Sequence, residues 1–391
     1  MTELAQKIDR YQRYLEADPR NATLWVAYGD VLHHAGLLDR AETAYRSCLA
    51  LEPDSAVAAS RLASVEISRQ NFAGAEQILQ QLIDGGEHDS AVLLNLALAL
   101  YYQRRFAEAL SRLEPLTAAE GSIGAQAAYY LISCLHNLLR EDEAIERGQV
   151  LLARFPGPRL RGYLSLVLLD AQRATEAYEL ARQALREDPE NTDASAVLAT
   201  HALEEQRIAD ADRLLRLVAT REPTNVRAWQ GMALGALHRG DHEAALGHLK
   251  QAIATDPANL ASYITLGWVH MTRHDYAAAD RAFRDGIAID RTEAELHGGL
   301  ACALVFQREF DAAKREISVA LKLNPHSFGA LFARSILLQL GGKPELATKL
   351  VSQILQRSMR PDAPTPLDSL LDYWKQRSRS GPTDGRARRD H

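Results

Sequence analysis

Apolar residues recur along most of the chain at the spacing of one helix face. In the segment "LLNLALALYY" (93–102) they fall at i, i+3, i+4 and i+7, and polar or glycine-containing stretches such as "HAGLLD", "RQNFAG" and "HRGDHE" separate such segments. This spacing is typical of amphipathic α-helices, and the polar stretches are typical of the turns between them. The pattern therefore predicts a series of two-helix hairpins.

The hairpins repeat with a nearly constant period. Alignment on the alanine of "DRAETAY" gives ten equivalent positions, separated by 34 residues except for one gap of 35 and one of 33. They are Ala41, Ala75, Ala109, Ala144, Ala177, Ala211, Ala245, Ala279, Ala313 and Ala347. A fixed period over this length indicates a repeat protein, in which each unit buries its apolar face against its neighbours.

Other positions keep the same phase when the residue 19 places before each alanine is numbered position 1. Position 8 is mostly small, as at Gly29 and Gly267, which favours close packing between helices. Position 32 is proline in six units, as at Pro53 and Pro257. Proline there favours a helix end followed by a new helix start, because it cannot continue the hydrogen-bond ladder.

The repeat resembles the tetratricopeptide repeat family over residues 22–360. Trp25, Gly29, Ala41, Tyr45 and Pro53 match the family pattern at positions 4, 8, 20, 24 and 32, although other units depart from it, with His297 at position 4 and Arg291 at position 32. The resemblance implies an all-α, right-handed superhelical solenoid of about ten helical hairpins with terminal capping helices. It also implies that the first helix of each unit lines a concave groove for an extended peptide or a helix of a partner.

The domain boundaries follow from the same phase. We expect an N-terminal half-repeat or capping helix within residues 1–21, the solenoid over 22–360, a C-terminal helix over 361–378 and a disordered tail over 379–391. The two irregular gaps coincide with "AAEGSIG" and "FPGPRLRG". Glycine and proline relax or redirect connections, so a hinge or a change of curvature is predicted around residues 118–162.

Polar and aromatic side chains concentrate at groove positions of the third to fifth units. We expect Tyr102, Tyr130 and Asn137 to be surface residues whose replacement weakens partner binding without loss of stability. The alternative is that several tyrosines are inter-helix core with only the hydroxyl at the rim. The candidate groove residues in this half are Asn95, Tyr101, Tyr102, Gln126, Tyr129, Tyr130, His136, Asn137, Arg159 and Tyr163.

The groove positions of the last units are apolar instead. Trp268, Met271 and Phe306 are candidate partner-binding residues there, in an exposed apolar strip. The segment "PLDSLLDYWKQR" carries its own helical stripe of leucines and a tryptophan. It is predicted to cap the last repeat, which repeat arrays need for solubility, and the alternative is that it occupies the groove.

Composition and charge limit the classes of partner and the cellular setting that we expect. The net charge of −6 is spread without long basic runs, so we expect no nucleic-acid ligand, and no segment reaches membrane-spanning length. The three cysteines are far apart and odd in number, which favours buried free thiols in a reducing, cytoplasmic setting. Only seven of the 45 basic residues are lysines, which suggests a GC-rich bacterial gene.

The sequence contains only weak candidates for metal-binding or catalytic motifs. The pairs His238/His242 and His270/His274 have i, i+4 spacing, but neither has an evident third ligand, so no metal site is predicted. No nucleophile elbow or phosphate-binding loop is present, and the period consumes nearly the whole chain, so we expect neither an enzyme nor a cofactor.

Function is therefore predicted to be non-enzymatic. The chain is interpreted as a scaffold or adaptor that binds a protein or peptide partner in its groove. The alternative is a substrate-recognition or regulatory subunit of a separately encoded enzyme, such as a transferase or a secretion or envelope-assembly system. The partner's identity and the oligomeric state are not readable from the sequence.

Overall fold

The computed structural model describes residues 3–358, with side chains through residue 352. Every regular element in that range is an α-helix, and the helices are joined by short turns and loops. A first compact unit, ending at Asn191, contains α1 (Glu3–Ala17), α2 (Ala22–His34), α3 (Leu38–Leu51), α4 (Ala56–Ser68), α5 (Phe72–Asp84), α6 (Ser90–Tyr102), α7 (Phe106–Leu116), α8 (Gly121–Asn137), α9 (Glu141–Arg154), α10 (Pro158–Asp170) and α11 (Ala174–Glu187). A second unit, starting at Thr192, contains α12 (Thr192–Glu204), α13 (Ile208–Arg221), α14 (Val226–His238), α15 (His242–Thr255), α16 (Leu260–Thr272), α17 (Tyr276–Ile289), α18 (Ala294–Phe306), α19 (Phe310–Leu323), α20 (Phe328–Leu340) and α21 (Pro344–Ser358). The helix predicted over 361–378 and the tail predicted over 379–391 lie outside the described residues.

Helices α2 to α21 form ten consecutive hairpins, preceded by α1, which packs on α2. The first helix of a hairpin, here called helix A, begins at the predicted position 1 in nine of the ten units. Within each compact unit, helix A packs on its own second helix and on the preceding second helix, and in every case but α14 to α16 it also packs on the next helix A. The predicted all-α fold of stacked helical hairpins is confirmed.

The turn inside every hairpin contains one residue with positive φ, always at position 15. Gly36, Gly240 and Gly342 occupy it in three units, and non-glycine residues occupy it in the other seven. These seven are Gln70, Arg104, Leu139, Gln172, Gln206, His274 and Arg308. The left-handed conformation ends helix A and lets the chain reverse at once. It disfavours residues with a Cβ by roughly 1 kcal/mol or more.

Leu139 combines this backbone strain with an exposed side chain, since its φ is 58° and 84% of its surface is accessible. Leu139→Gly should raise the free energy of unfolding by roughly 0.5–1 kcal/mol, because glycine removes the strain and no packing is lost. A higher urea midpoint at unchanged slope would show this. Leu37→Gly is the matched control, because Leu37 has a φ of −86° and is partly covered; a gain there, or none at Leu139, would contradict the strain argument.

A hydrogen bond joins position 4 to the loop before helix A. Trp25 donates its indole N–H to the carbonyl of Pro19 at 2.9 Å. The unit that has His297 at position 4 keeps this contact, because His297 Nε2 lies 3.1 Å from the carbonyl of Arg291. A different side chain thus supplies the same donor, and the start of helix A is held in the same way.

Position 8 is small because a large side chain from the second helix packs against it. A Cβ on Gly29 would lie 2.4 Å from the ring of Tyr45, and one on Gly267 would lie 2.4 Å from the ring of Phe283. The same Phe283 ring would also meet a Cβ on Gly299 at 2.3 Å. The predicted close packing is therefore present at these positions.

The irregular stretch between α7 and α8 gives the fourth hairpin its own geometry. Helix α8 begins at Gly121, one turn before the predicted position 1, and Gly121 has a φ of 67°. A Cβ on Gly124 would overlap the Ala119 carbonyl oxygen and lie 2.6 Å from the ring of Phe155. Glycine is thus required where α8 passes the end of α9. The hinge at 118–162 stays a prediction.

Candidate tyrosine patch and adjoining cleft

Five tyrosines form a continuous row on three successive A helices of the first unit. We call this row the tyrosine patch; its members are Tyr101 and Tyr102 on α6, Tyr129 and Tyr130 on α8, and Tyr163 on α10. Neighbouring rings meet edge to face with centroids about 5 Å apart, at 5.2 Å for Tyr101–Tyr102, 5.0 Å for Tyr101–Tyr130 and 5.1 Å for both Tyr129–Tyr130 and Tyr129–Tyr163. This is the favoured geometry for aromatic pairs.

Hydrogen bonds to neighbouring polar side chains hold hydroxyl groups of the patch tyrosines in place. The Tyr101 hydroxyl lies 2.7 Å from Ser133 Oγ, and Ser133 in turn donates to the Tyr163 hydroxyl at 3.0 Å. His136 approaches the same hydroxyl through Nδ1 at 3.2 Å and Asp170 through Nε2 at 3.2 Å. Hydrogen bonds thus run from α6 across α8 to α10, and they hold the patch in one arrangement.

Sequence reasoning missed Ser133 and Asp170, which complete this network. Ser133 is fully buried. The available signal was a hydroxyl inside the apolar run "YYLISCL" (129–135), since a buried polar group needs a partner. Asp170 gave no comparable signal, because it lies at the end of α10 among ordinary polar residues.

The patch residues differ in exposure, and this corrects part of the expectation. Tyr102 is 44% exposed and Asn137 is exposed, whereas Tyr130 and Tyr163 are each only 8% exposed. The expectation that Tyr130 can be replaced without loss of stability is therefore wrong. Its ring packs between α6 and α8 because each A helix lies against the next, so Tyr130→Ala would remove core packing.

The hydroxyl of Tyr102 is shielded although part of its ring is accessible. It lies 3.1 Å from the hydroxyl of Tyr130, and the ring stacks on Phe72 at a centroid distance of 4.9 Å. Burial raises the pKa of Tyr102, and the hydrogen bond with Tyr130 raises it further. The group is therefore neutral and can take part only in hydrogen bonding and ring packing.

The two asparagines of the predicted groove are held by local contacts. Asn95 donates to Ser64 Oγ at 3.3 Å, across from α6 to α4. Asn137, which is exposed at the end of α8, donates to the carbonyl of Ser133 at 2.8 Å. Both side chains are thus oriented before any partner arrives.

A cleft adjoins the patch between the start of α8 and the α9–α10 connection. Its volume is about 680 Å³. The predicted residues Gln126, Tyr129 and Arg159 line it. The remaining lining residues are Glu120, Gly121, Ser122, Ala125, Arg154, Phe155, Pro156, Gly157, Pro158 and Leu160. The structure thus places three of the predicted residues in a cleft next to the patch, whereas Asn95 contacts α4 instead.

Family models of the tetratricopeptide repeat match residues 22–65, 94–157, 168–234 and 236–301, which together make up more than half of the chain. The chain belongs to the tetratricopeptide repeat (TPR) family. TPR repeats are protein-interaction modules, so the chain has the architecture of a protein–protein interaction scaffold. A comparison with curated proteins gives no match.

Comparison with solved structures gives matches at low sequence identity. The human IFIT1 dimer with m7Gppp-AAAA has a TM-score of 0.54 and 12% identity, covering 92% of this chain and 95% of that one. Yeast Tom70 has a TM-score of 0.41 and 16% identity, covering 97% and 94%. At these identities the IFIT1 likeness supports the helical repeat fold and nothing further.

The second half of the predicted TPR groove is partly wrong. Trp268 and Met271 are 2% and 0% exposed, so they do not belong to an exposed apolar strip. Trp268 packs edge to face against Phe283 at 5.9 Å and Phe328 at 5.7 Å, because α18 and α20 cover this side of α16. Phe306 is partly buried and stacks on Tyr276 at 4.8 Å.

Reactive groups elsewhere in the TPR repeats are buried or paired. All three cysteines are free and buried, as predicted. Burial raises the pKa of the Cys134 thiol to about 12 and raises that of Cys302 as well. Thiols shielded in this way are poor nucleophiles.

The histidine pairs make contacts other than to each other. His238 Nδ1 lies 2.9 Å from the carbonyl of Leu234, and His274 Nδ1 lies 2.8 Å from the hydroxyl of Tyr276. Within residues 3–358, no three His, Cys, Asp or Glu side chains are grouped so that they could hold a metal ion. In the same part of the chain no helix is both long and apolar enough to cross a bilayer.

Proposed function

We propose that this TPR chain is a non-catalytic scaffold that binds an extended segment of a partner protein across the tyrosine patch. The proposal rests on the fixed row of rings on α6, α8 and α10. Within this row Tyr102 is exposed, and Asn137 on α8 is exposed as well. Tyrosine offers a large contact area and a hydroxyl at low entropic cost, and a surface ordered before binding loses little entropy on binding.

A nucleic-acid ligand is not proposed, although the human IFIT1 structure holds m7Gppp-AAAA. The net charge is −6 and no long basic run is present, while Arg159 lies over the rings of Tyr129 and Tyr130. Binding along a phosphate backbone draws on many basic contacts. The same patch would serve equally if the partner were an enzyme that this chain regulates or supplies with substrate.

The test is selection of random dodecapeptides on the full chain, followed by affinity measurement by fluorescence anisotropy. Tyr102→Ala should weaken a selected peptide by about tenfold or more, as expected for a central aromatic contact. The urea midpoint should fall less than for Tyr130→Ala, because the Tyr102 side chain is 44% exposed and that of Tyr130 is 8% exposed.

Tyr14→Ala is the matched control, because Tyr14 is 53% exposed on α1, outside the patch. It should leave the affinity unchanged. Peptides that bind with equal affinity to wild type and Tyr102→Ala, or a failure to select any peptide, would contradict the proposal.

A further inference from the structure

The cleft beside the tyrosine patch has mostly apolar walls and a cationic rim. Tyr129, Phe155 and Pro158 form walls, and the guanidinium groups of Arg154 and Arg159 lie at its edge with Glu120 as the acidic lining residue. A volume of about 680 Å³ is within the range of sites that enclose a side chain or a small ligand.

Arg159 is held in place without being neutralised. Its guanidinium carbon lies 4.2 Å from the ring centroid of Tyr129 and 5.5 Å from that of Tyr130, and Nη2 donates to the Tyr130 hydroxyl at 3.4 Å. No carboxylate of the described residues lies within ion-pair distance of it. By contrast, Arg161 pairs with Glu187, and Arg147 pairs with Glu114 at 2.7 Å.

The backbone adds to the positive potential at this place. Helices α8 and α10 both begin at the cleft, at Gly121 and Pro158, and neither start has a side-chain cap. The unpaired N–H groups of a helix start favour a nearby negative charge. Arg154 contributes less, since its Nη2 already donates to the carbonyl of Ala118.

We propose that the cleft binds one acidic side chain of the partner segment, with a neighbouring apolar residue against Tyr129 and Phe155. The inference rests on the proposed function and specifies the chemistry of its partner. One carboxylate matches one fixed guanidinium, since a guanidinium can donate two parallel hydrogen bonds to the two oxygens of a carboxylate. A phosphate dianion fits less well, because the carboxylate of Glu120 lines the same cleft and repels a double negative charge more strongly than a single one.

The experiment uses the dodecapeptides selected on the full chain. Each acidic residue of a selected peptide is replaced singly by glutamine and by phosphoserine, and each form is titrated against wild type, Arg159→Gln, Arg159→Lys and the control Arg112→Gln. Arg112 lies exposed on α7, away from the cleft, and its replacement removes the same charge.

At one peptide position, the change to glutamine should weaken binding to wild type by roughly 10- to 100-fold, the range for a charge-assisted hydrogen bond. Arg159→Gln should cause the same loss with the acidic peptide and almost none with the glutamine form. Arg159→Lys should keep part of the affinity, and Arg112→Gln should keep all of it.

Three results would overturn the inference while the proposed function stands: selected peptides without acidic residues, equal losses for both peptide forms in Arg159→Gln, or tighter binding of the phosphoserine form. Competition by poly(A) RNA would also overturn it. Loss of the Tyr102 dependence, by contrast, would remove the proposed function itself. The melting temperature of Arg159→Lys, with its charge kept, checks that the fold around Tyr129 is intact.

Discussion

Phe283→Ala is expected to lower the stability of the second unit by about 3–5 kcal/mol, the usual cost of removing a buried aromatic ring. Phe283 on α17 is fully buried, and its ring lies between Gly267 of α16 and Gly299 of α18. Neither glycine can fill the space, so the cavity would remain. Trp268 would also lose its edge-to-face neighbour at 5.9 Å.

Hydrogen exchange on the full chain measures this loss locally, because repeat arrays can open a few units at a time. Faster exchange over α16 to α19 is expected. Phe310→Ala is the control, since Phe310 is 38% exposed at the start of α19. Equal increases in hydrogen-exchange rate for the two variants would contradict the central position given to Phe283.

Gly329→Ala should destabilise the last two hairpins by about 3 kcal/mol, the upper part of the range for overpacking. A Cβ on Gly329 would lie 2.5 Å from the carbonyl carbon of Gly298 and 2.7 Å from the nitrogen of Gly299. Both are backbone atoms, so no side-chain rotation relieves the overlap. The contact is also fixed by Cys302, whose Sγ lies 3.1 Å from the Gly329 carbonyl oxygen.

Glu295 holds the same helix start from α18. Its carboxylate accepts the N–H of Phe328 at 2.9 Å and that of Gly329 at 3.2 Å, so α20 cannot move outwards without breaking these bonds. Gly247→Ala is the matched control, because a Cβ there meets nothing within 4 Å and the position is exposed inside α15. It should stabilise by roughly 0.5–1 kcal/mol. Equal urea midpoints for the two variants would contradict the argument.

The period predicted the hairpins because the same kind of residue recurs at the same position of each repeat and packs in the same way in each unit. Helix A starts at position 1 wherever the loop before it has the regular length, and the exception at α8 falls where the gaps change. The turn conformation was less predictable. Gly36 signals positive φ, but Leu139 does not, because the fold and not the residue sets the conformation at position 15.

The sequence placed the tyrosines of three helices at related positions, but it did not give the exposure of each candidate residue. Tyr102 is accessible at the end of α6, whereas Trp268, also at a groove position, is covered by α18 and α20. The repeat position of a residue gives the direction of its side chain on the helix. Whether that side chain is buried depends on how the neighbouring helices pack over it. The cleft at Arg159 arises from irregular connections, which the sequence marked only as glycine- and proline-rich.

The most direct measurement of the central claim is hydrogen exchange of the full chain with and without a saturating selected peptide. The account predicts slower exchange in α6, α8 and α10 and at the starts of α8 and α10 in particular. Helix α7, the part of α9 before the cleft residue Arg154, and the second unit should be unchanged. Protection confined to α12–α21, or to α7 and α9, would contradict binding at the tyrosine patch.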